Sequence, residues 1–222
     1  MTALIPVVLL VALANPEQTA KYDNYIRTVE AQPITWEWPE PTHGDTVDLD
    51  GALIHDWSGS TFIPGVKLGQ VASFLQDYSV HKDYYKPEVV DTRLVRHDGN
   101  DWVIHYRLVK HYVVNIILDI EQTVHFEPIS PTRLRSRSEA THITDLRARP
   151  GHDHGFMWRM NTYWRMEEKD GGVYVSCRIV SLSRSPPYGL GWLINPIIRT
   201  LPRDSLTRLL DATRGAVLSR AR

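Results

Sequence analysis

FMWRMNTYWRMEEKDGGVYVSCRIVSL, residues 156–182, contains two runs of alternating apolar and polar residues separated by Lys169-Asp170-Gly171-Gly172. Because successive side chains of a β-strand point to opposite faces, each run has one apolar face and one polar face. The apolar faces comprise Phe156, Trp158, Met160 and Trp164 on the first run, and Val173, Val175, Cys177 and Ile179 on the second. The glycines between the runs can adopt the positive φ of a tight turn. The pattern predicts an antiparallel hairpin with one buried face.

Similar alternation upstream predicts most of the remaining sheet, bringing the total to about seven strands. The further predicted strands are Leu53–Phe62, Val89–Arg96, Asp101–Lys110, Tyr112–Phe126 and Arg133–Asp145. Between the first two of these, Leu68, Val71, Ala72 and Leu75 stand at helical spacing and predict a short amphipathic helix.

The C-terminal segment changes to helical periodicity. An apolar stripe at helical spacing is formed by Leu206, Leu209, Leu210, Thr213 and Val217. This helix would begin at Thr200 or in the Pro202-Arg203-Asp204 turn, and Gly191–Ile198 would be a separate helical turn because Pro196 interrupts it. A half-buried sheet needs a cover, and the last helix has a suitable apolar face. We expect an α+β fold in which a curved antiparallel sheet wraps round a long C-terminal helix and encloses an apolar hollow.

Composition excludes some function classes. The 222 residues are 42% hydrophobic and 23% charged, which is typical of a globular chain with one sizeable core. The formal net charge of -1 gives no basic excess for a nucleic-acid backbone, so nucleic acid is not expected as a partner. The single cysteine, Cys177, lies among apolar residues and is expected to be a buried thiol without a redox or nucleophilic role.

The N-terminus favours export. The apolar run from Leu4 to Leu13 is too short to span a bilayer but has the length of a signal-peptide core, and Ala12-Leu13-Ala14 provides a cleavage site. Residues 1–14 are therefore interpreted as a signal peptide, and the location as periplasmic or secreted. The segment preceding the apolar run carries no Lys or Arg, which leaves a cytoplasmic protein with an apolar N-terminal helix as the alternative. Residues 15–50 are interpreted as a helix and a proline-rich linker, and residues 51–222 as the main domain.

Two segments carry a family resemblance. HDWSGSTFIPGVKLGQVASFLQDYSVHKDYYKPEVVDTRLV (residues 55–95) and GFMWRMNTYWRMEEKDGGVYVSCRIVSLSRSPPYGLGWLINPIIRTLPRDSLTRLLDATRGAV (residues 155–217) resemble the opening and closing parts of START-like proteins of the SRPBCC superfamily. The resemblance extends over Leu53 to Val217 and is greatest to a bacterial START-like group of unassigned activity. It implies the helix-grip fold, with a cavity for lipids, sterols, polyketides or other apolar metabolites. Members include lipid carriers, ring-closing enzymes and hydrolases, so the fold does not choose the function.

Candidate site residues follow from the apolar faces and from polar groups beside them. Candidates for the cavity lining are Trp57, Trp158, Met160, Val175, Ile179, Leu206, Leu210 and Val217. The same residues could instead form solid core, because both have the same sequence signature. Candidates for contact with a ligand's polar head group are His55, His105 and Arg184. The alternative places His55 at the solvent edge and gives Arg184 a structural role at the crossover towards the last helix.

No cofactor, metal or catalytic set is predicted. His152-Asp153-His154 is the nearest approach to a metal motif, but a third ligand is not evident. The leading hypothesis is a non-catalytic carrier of a hydrophobic small molecule, with transient membrane contact during loading. A cyclase or hydrolase is the second hypothesis, and it requires His55 or His105 near an arginine in a deep pocket. The third is an envelope interaction module that uses the tryptophans of residues 15–50. The oligomeric state is left open.

Overall fold

A computed structural model of the chain describes residues 14–38, 42–111, 115–147, 155, 157–185 and 191–221. The elements within these ranges are, in chain order, α1 (Pro16–Ala31), β1 (His43–Leu49), β2 (Ala52–Pro64), α2 (Leu68–Gln76), α3 (His81–Tyr84), β3 (Val89–Asp98), β4 (Asp101–His111), β5 (Asn115–Ser130), β6 (Arg133–Asp145), β7 (Met157–Lys169), β8 (Gly172–Arg184) and α4 (Gly191–Arg220). The predicted signal peptide, except for Ala14, and His152-Asp153-His154 lie outside the described residues. No helix within them is long and apolar enough to cross a bilayer.

The described strands form one curved antiparallel sheet in the order β1-β2-β8-β7-β6-β5-β4-β3. The β7–β8 hairpin turns at Asp170 and Gly171, both with positive φ (54° and 77°), which is the backbone geometry of a tight two-residue hairpin turn. Helix α4 lies against β2 and β8 and closes the concave face. The predicted α+β, helix-grip architecture is confirmed.

The predicted strand count was one too low, because the sheet begins earlier than expected. Residues 43–49, placed in the linker, form edge strand β1 and pair with β2 from His43↔Ser58 to Leu49↔Ala52. Among these residues only Thr46 is buried, so the strand lacks the apolar alternation that identified the others. Charged residues on an edge strand disfavour pairing with another chain, which explains its polar composition.

The C-terminal helix is longer than predicted. Helix α4 runs without a break from Gly191 to Arg220, so the separate helical turn at Gly191–Ile198 was wrong. Pro196 and Pro202 each remove one backbone donor from the helix. Packing of the helix against the sheet opposes that loss, and such tertiary contacts commonly outweigh local preference.

The N-terminal helix covers the convex face of the sheet. Asn15 caps α1 through a reciprocal pair of hydrogen bonds with Gln18, one of 2.7 Å and the other of 2.9 Å. Tyr22 is fully buried, and its hydroxyl donates to the carbonyl of Val180 or the side chain of Asn161, each 2.9 Å away. Residues 33–38 continue over the same face, where Trp36 lies under the Arg133 guanidinium and Trp38 stacks on Tyr174.

Candidate functional site

A cavity of about 260 Å³ remains between the concave face, the middle of α4 and the segment from α2 to the start of β3. Apolar side chains from all three form most of its wall, among them Leu75, Val89, Ile104, Leu108, Ile120, Val124, Phe126, Met157, Leu201 and Leu209. The cavity is therefore a mainly apolar space between the concave face of the sheet and α4.

A band of small polar side chains crosses the sheet side of the cavity. It comprises Gln122 on β5, Ser136 and Ser138 on β6, Thr162 on β7 and Ser181 on β8. Each is at most 9% exposed, and none has a side-chain hydrogen-bond partner among the described residues. Buried polar groups normally have partners, so these groups are open to a bound molecule or to water. The short serine side chains also leave the space that larger residues would fill.

His81 and Tyr106 form a buried hydrogen-bonded pair in the wall. The Phe74 carbonyl oxygen lies 3.0 Å from Nε2 of His81, so this nitrogen carries the proton and Nδ1 accepts from the Tyr106 hydroxyl at 2.6 Å. Burial lowers the pKa of His81 to about 4, which keeps the ring neutral at neutral pH. Burial also raises the pKa of Tyr106. The Tyr106 hydroxyl donates its hydrogen bond to His81, so its oxygen can accept a hydrogen bond from a ligand.

Sequence reasoning missed His81 and the serine band. A lone histidine at the start of a short helix has no signal that separates it from a surface residue. Ser136 and Ser138 did have one, because they alternate with Arg135 and Arg137 along β6. Since arginine side chains take the solvent face, that alternation assigns the serines to the interior.

Four of the candidate residues lie on the cavity wall: Trp57, Met160, Ile179 and His55. His55 is 4% exposed, so the alternative that placed it at the solvent edge was wrong. Its Nε2 lies 2.8 Å from the Ser183 hydroxyl and its Nδ1 lies 3.1 Å from that of Thr46. The indole N–H of Trp57 is buried without a partner in the described structure.

Five apolar candidates do not line the cavity. Val175 and Val217 belong to the main core cluster, while Leu206 and Leu210 pack with Cys177 in a smaller one. All four are at most 3% exposed. Leu206 and Leu210 each follow a residue that does border the cavity, Ser205 and Leu209, so the two pairs differ in the side of α4 that they occupy.

Trp158, the fifth, lies on the opposite side of the sheet and packs with the cluster around Tyr22 of α1. The cause is a bulge between Met157 and Arg159, where the register with β8 shifts. One extra residue reverses the facing of the strand, so Met157 and Met160 both line the cavity although their numbers differ in parity.

His105 and Arg184 are also outside the cavity lining. His105 shares the outer face with Asp119, with Nε2 3.6 Å from its carboxylate, and Arg107 forms two hydrogen bonds with the same carboxylate. Arg184 ends β8 opposite Ala52. The structure therefore does not bring His55, His105 and Arg184 together.

The arrangement gives little support to acid–base chemistry. The described lining contains no arginine or lysine, and its two histidines, His55 and His81, both have hydrogen-bond partners. The one carboxylate in that described lining, Glu88, contacts Arg208 at 2.6 Å. In the described part of the chain, no group of three His, Cys, Asp or Glu side chains is placed to hold a metal ion.

An eight-stranded antiparallel sheet gripping a C-terminal helix around an apolar cavity defines a START-like, helix-grip protein fold. Solved structures with this fold include TTHA0849 from Thermus thermophilus, with 15% identity, coverage of 75% of this chain and 99% of that one, and a TM-score of 0.58. A STAR-related lipid transfer protein from Xanthomonas axonopodis has 16% identity, coverage of 78% and 98%, and a TM-score of 0.53.

The Zhui aromatase/cyclase from Streptomyces sp. R1128 has 12% identity, coverage of 76% and 96%, and a TM-score of 0.51. Identities in this range show a common fold and leave the activity open. No protein-family model matches the sequence, and no curated protein does.

Proposed function

We propose that the protein binds and carries a compact hydrophobic molecule with one or more hydroxyl or carbonyl groups. The observation that carries the proposal is the apolar cavity of about 260 Å³ crossed by buried polar side chains without partners among the described residues. Apolar walls supply affinity at roughly 25 cal/mol per Å² of buried surface, before ordering costs. The polar band and the Tyr106 oxygen supply orientation, because a ligand lacking matching groups would leave them unsatisfied.

The size of the cavity limits the ligand. Small-molecule pockets commonly occupy about 300–1,000 Å³, so this cavity, at about 260 Å³, is slightly smaller than that range. A fused-ring compound or a single-chain lipid suits it better than a phospholipid with two long chains. A lipid transfer protein and an aromatase/cyclase share the fold, which supports a hydrophobic ligand. The predicted signal peptide supports a periplasmic or secreted carrier that loads by transient membrane contact.

Filling the cavity tests the proposal. Ser138→Leu adds apolar volume within the polar band, and Ser73→Leu makes the same change on the exposed side of α2. Native mass spectrometry with organic extraction would detect a co-purifying molecule, and N-phenyl-1-naphthylamine fluorescence would measure apolar binding. We expect the wild type and Ser73→Leu to bind alike and Ser138→Leu to bind at least about tenfold more weakly. A wild-type protein that neither carries a molecule nor binds the probe would contradict the proposal, as would equal binding by both variants.

A further inference from the structure

A second hollow lies on the opposite side of the sheet, beneath the chain that follows α1. This back-face cleft has a volume of about 500 Å³ and is bordered by residues 29–35 and by the outer surfaces of β5 to β8. Four arginines line it: Arg135, Arg137, Arg165 and Arg178. Two glutamates, Glu30 and Glu127, line it as well, so the arginines outnumber the carboxylates in the described lining.

The strand register explains how the arginines come together. Arg135 and Arg165 stand directly opposite each other on β6 and β7. One step along the sheet, Arg137 faces Tyr163, which in turn faces Arg178 on β8. Like charges directly opposite each other on neighbouring strands are destabilising, so this arrangement needs compensating negative charge.

Three of the four arginines have that compensation within the chain. Arg135 contacts Glu127 at 2.5 Å, Arg137 contacts Glu30 at 2.8 Å, and Arg178 forms two hydrogen bonds with Asp56, of 2.6 and 2.8 Å. Glu30 and Glu127 line the cleft themselves, and each of the three carboxylates neutralises its own arginine.

Arg165 is the exception. Its guanidinium donates to the Thr35 carbonyl and, at 3.3 Å, to the Ser176 hydroxyl, and no carboxylate of the described residues contacts it. Burial, reinforced by the charge of Arg178, lowers its pKa. Arginine has five N–H donors and remains charged in proteins, so a half-buried guanidinium with two neutral acceptors has both unused donors and unbalanced charge.

We propose that the back-face cleft is a binding site for an oxyanion, a carboxylate or phosphate group, held by Arg165 with support from the neighbouring arginines. The planar guanidinium matches both groups with two parallel hydrogen bonds. The cleft is larger than a bare ion, so an organic acid or a phosphate ester would fit with its carbon skeleton beneath residues 29–35. Ser136 and Trp164 border both this cleft and the cavity on the concave face, while the arginines border the cleft alone.

Calorimetric titration of the full chain, in chloride buffer of low ionic strength, tests whether the back-face cleft binds an oxyanion. The probes are inorganic phosphate, phenyl phosphate and benzoate, which distinguish a free ion from an organic phosphate or carboxylate. We expect saturable binding of at least one probe by the wild type. Arg165→Gln should weaken it about tenfold or more, because hydrogen bonds to charged groups are the strong ones. Arg165→Lys should recover only part of the affinity, since lysine keeps the charge without the fork.

Arg203→Gln is the matched control, because Arg203 is exposed on α4 and, among the described residues, pairs with its neighbour Asp204. It should bind the anion like the wild type, as should the cavity-filling Ser138→Leu. Arg165→Gln should in turn keep the binding of the apolar probe, which also verifies that it folds. The proposal would be overturned if the wild type showed no saturable binding of any probe, a result that does not depend on the folding of a variant. It would also be overturned if Arg165→Gln and Arg203→Gln weakened anion binding equally.

Discussion

His81 makes the stability of the protein depend on pH below neutrality. Its ring is 2% exposed and neutral in the folded state, where its pKa is about 4 against an ordinary value of 6.5. Its surroundings are Tyr78, Tyr85 and Tyr106, with Asp77 and Arg220 acting at longer range in opposite directions. The folded pKa lies below the unfolded one, so the unfolded chain binds the proton first. Stability is therefore lost as the pH falls from about 6.5 towards 4.

From these two values, we expect His81 to lower the free energy of unfolding by about 2 kcal/mol between pH 7.5 and pH 5. Urea denaturation at both pH values measures the difference. His81→Gln should be less stable than the wild type at pH 7.5 and should lose about 2 kcal/mol less on acidification. His142→Gln, at an exposed position on β6, should keep the wild-type pH dependence. If His81→Gln lost as much stability on acidification as the wild type, protonation of the His81 ring would not be the cause of that loss.

Single residues also show where sequence reasoning reaches its limit. Trp57, Met160 and Ile179 were named from face and spacing, and the structure places them on the cavity wall. Val175 and Leu206 satisfied the same criteria and belong to solid core. On α4 the cavity is bordered by Ser205 and Leu209, whereas Leu206 packs with Cys177. The side of the helix that faces the cavity depends on how α4 is rotated against the sheet, and no local pattern in the sequence encodes that rotation.

At the scale of elements, alternation of apolar and polar residues predicted strands β2 to β8. Burial follows that alternation closely in β6, whereas only Val89 and Thr92 are buried in edge strand β3. Alternation failed in two places for physical reasons. Strand β1 has only one buried residue, Thr46, so there was almost no apolar signal to detect. At Trp158 a bulge places one extra residue of β7 opposite β8. A bulge of this kind has no characteristic residue type, so the sequence of β7 does not reveal it.

The contact between β2 and α4 gives a prediction at this scale. Gly59 lies in β2, where a Cβ atom would come within 2.9 Å of Leu210 Cδ1 and 2.8 Å of Thr42 Oγ1. Leu210 is buried and has little room to move, so Gly59→Ala should force its side chain out of place and lower the free energy of unfolding by about 1–3 kcal/mol, as overpacking does. Chemical denaturation would measure it.

Gly69→Ala is the control, because Gly69 lies inside α2 with nothing within 4 Å of the added atom. Alanine has the higher helix propensity, so this variant should be about 0.5–1 kcal/mol more stable than the wild type. If Gly59→Ala were as stable as the wild type, the close approach of α4 to β2 would not restrict the side chain at this position.

At the scale of the whole molecule, the cavity results from the way the curved sheet packs on the C-terminal helix. The sequence predicts both elements but not how they pack. The family resemblance supplied the expectation of a cavity. Its position and its polar band follow from the packing of distant segments, since the wall draws on both helices before β3, on strands from β2 to β8 and on α4. The back-face cleft likewise requires residues 29–35 to fold over strands that lie about 100 positions later in the chain.

The open sheet leaves two edges, and they differ in character. Edge strand β3 exposes Val90, Leu94 and Val95 at 47%, 47% and 50%, whereas β1 exposes one large apolar side chain, Val47, at 38%. An exposed apolar edge is a template for pairing with another chain, and a lysine on the edge opposes it. Val95→Lys should therefore reduce self-association at high protein concentration, measured by light scattering, and change the free energy of unfolding by less than about 0.5 kcal/mol. Val47→Lys should have little effect, because Val47 is an isolated apolar side chain on its edge. Equal reductions by both variants, or none by Val95→Lys, would show that β3 is not the edge through which the chains associate.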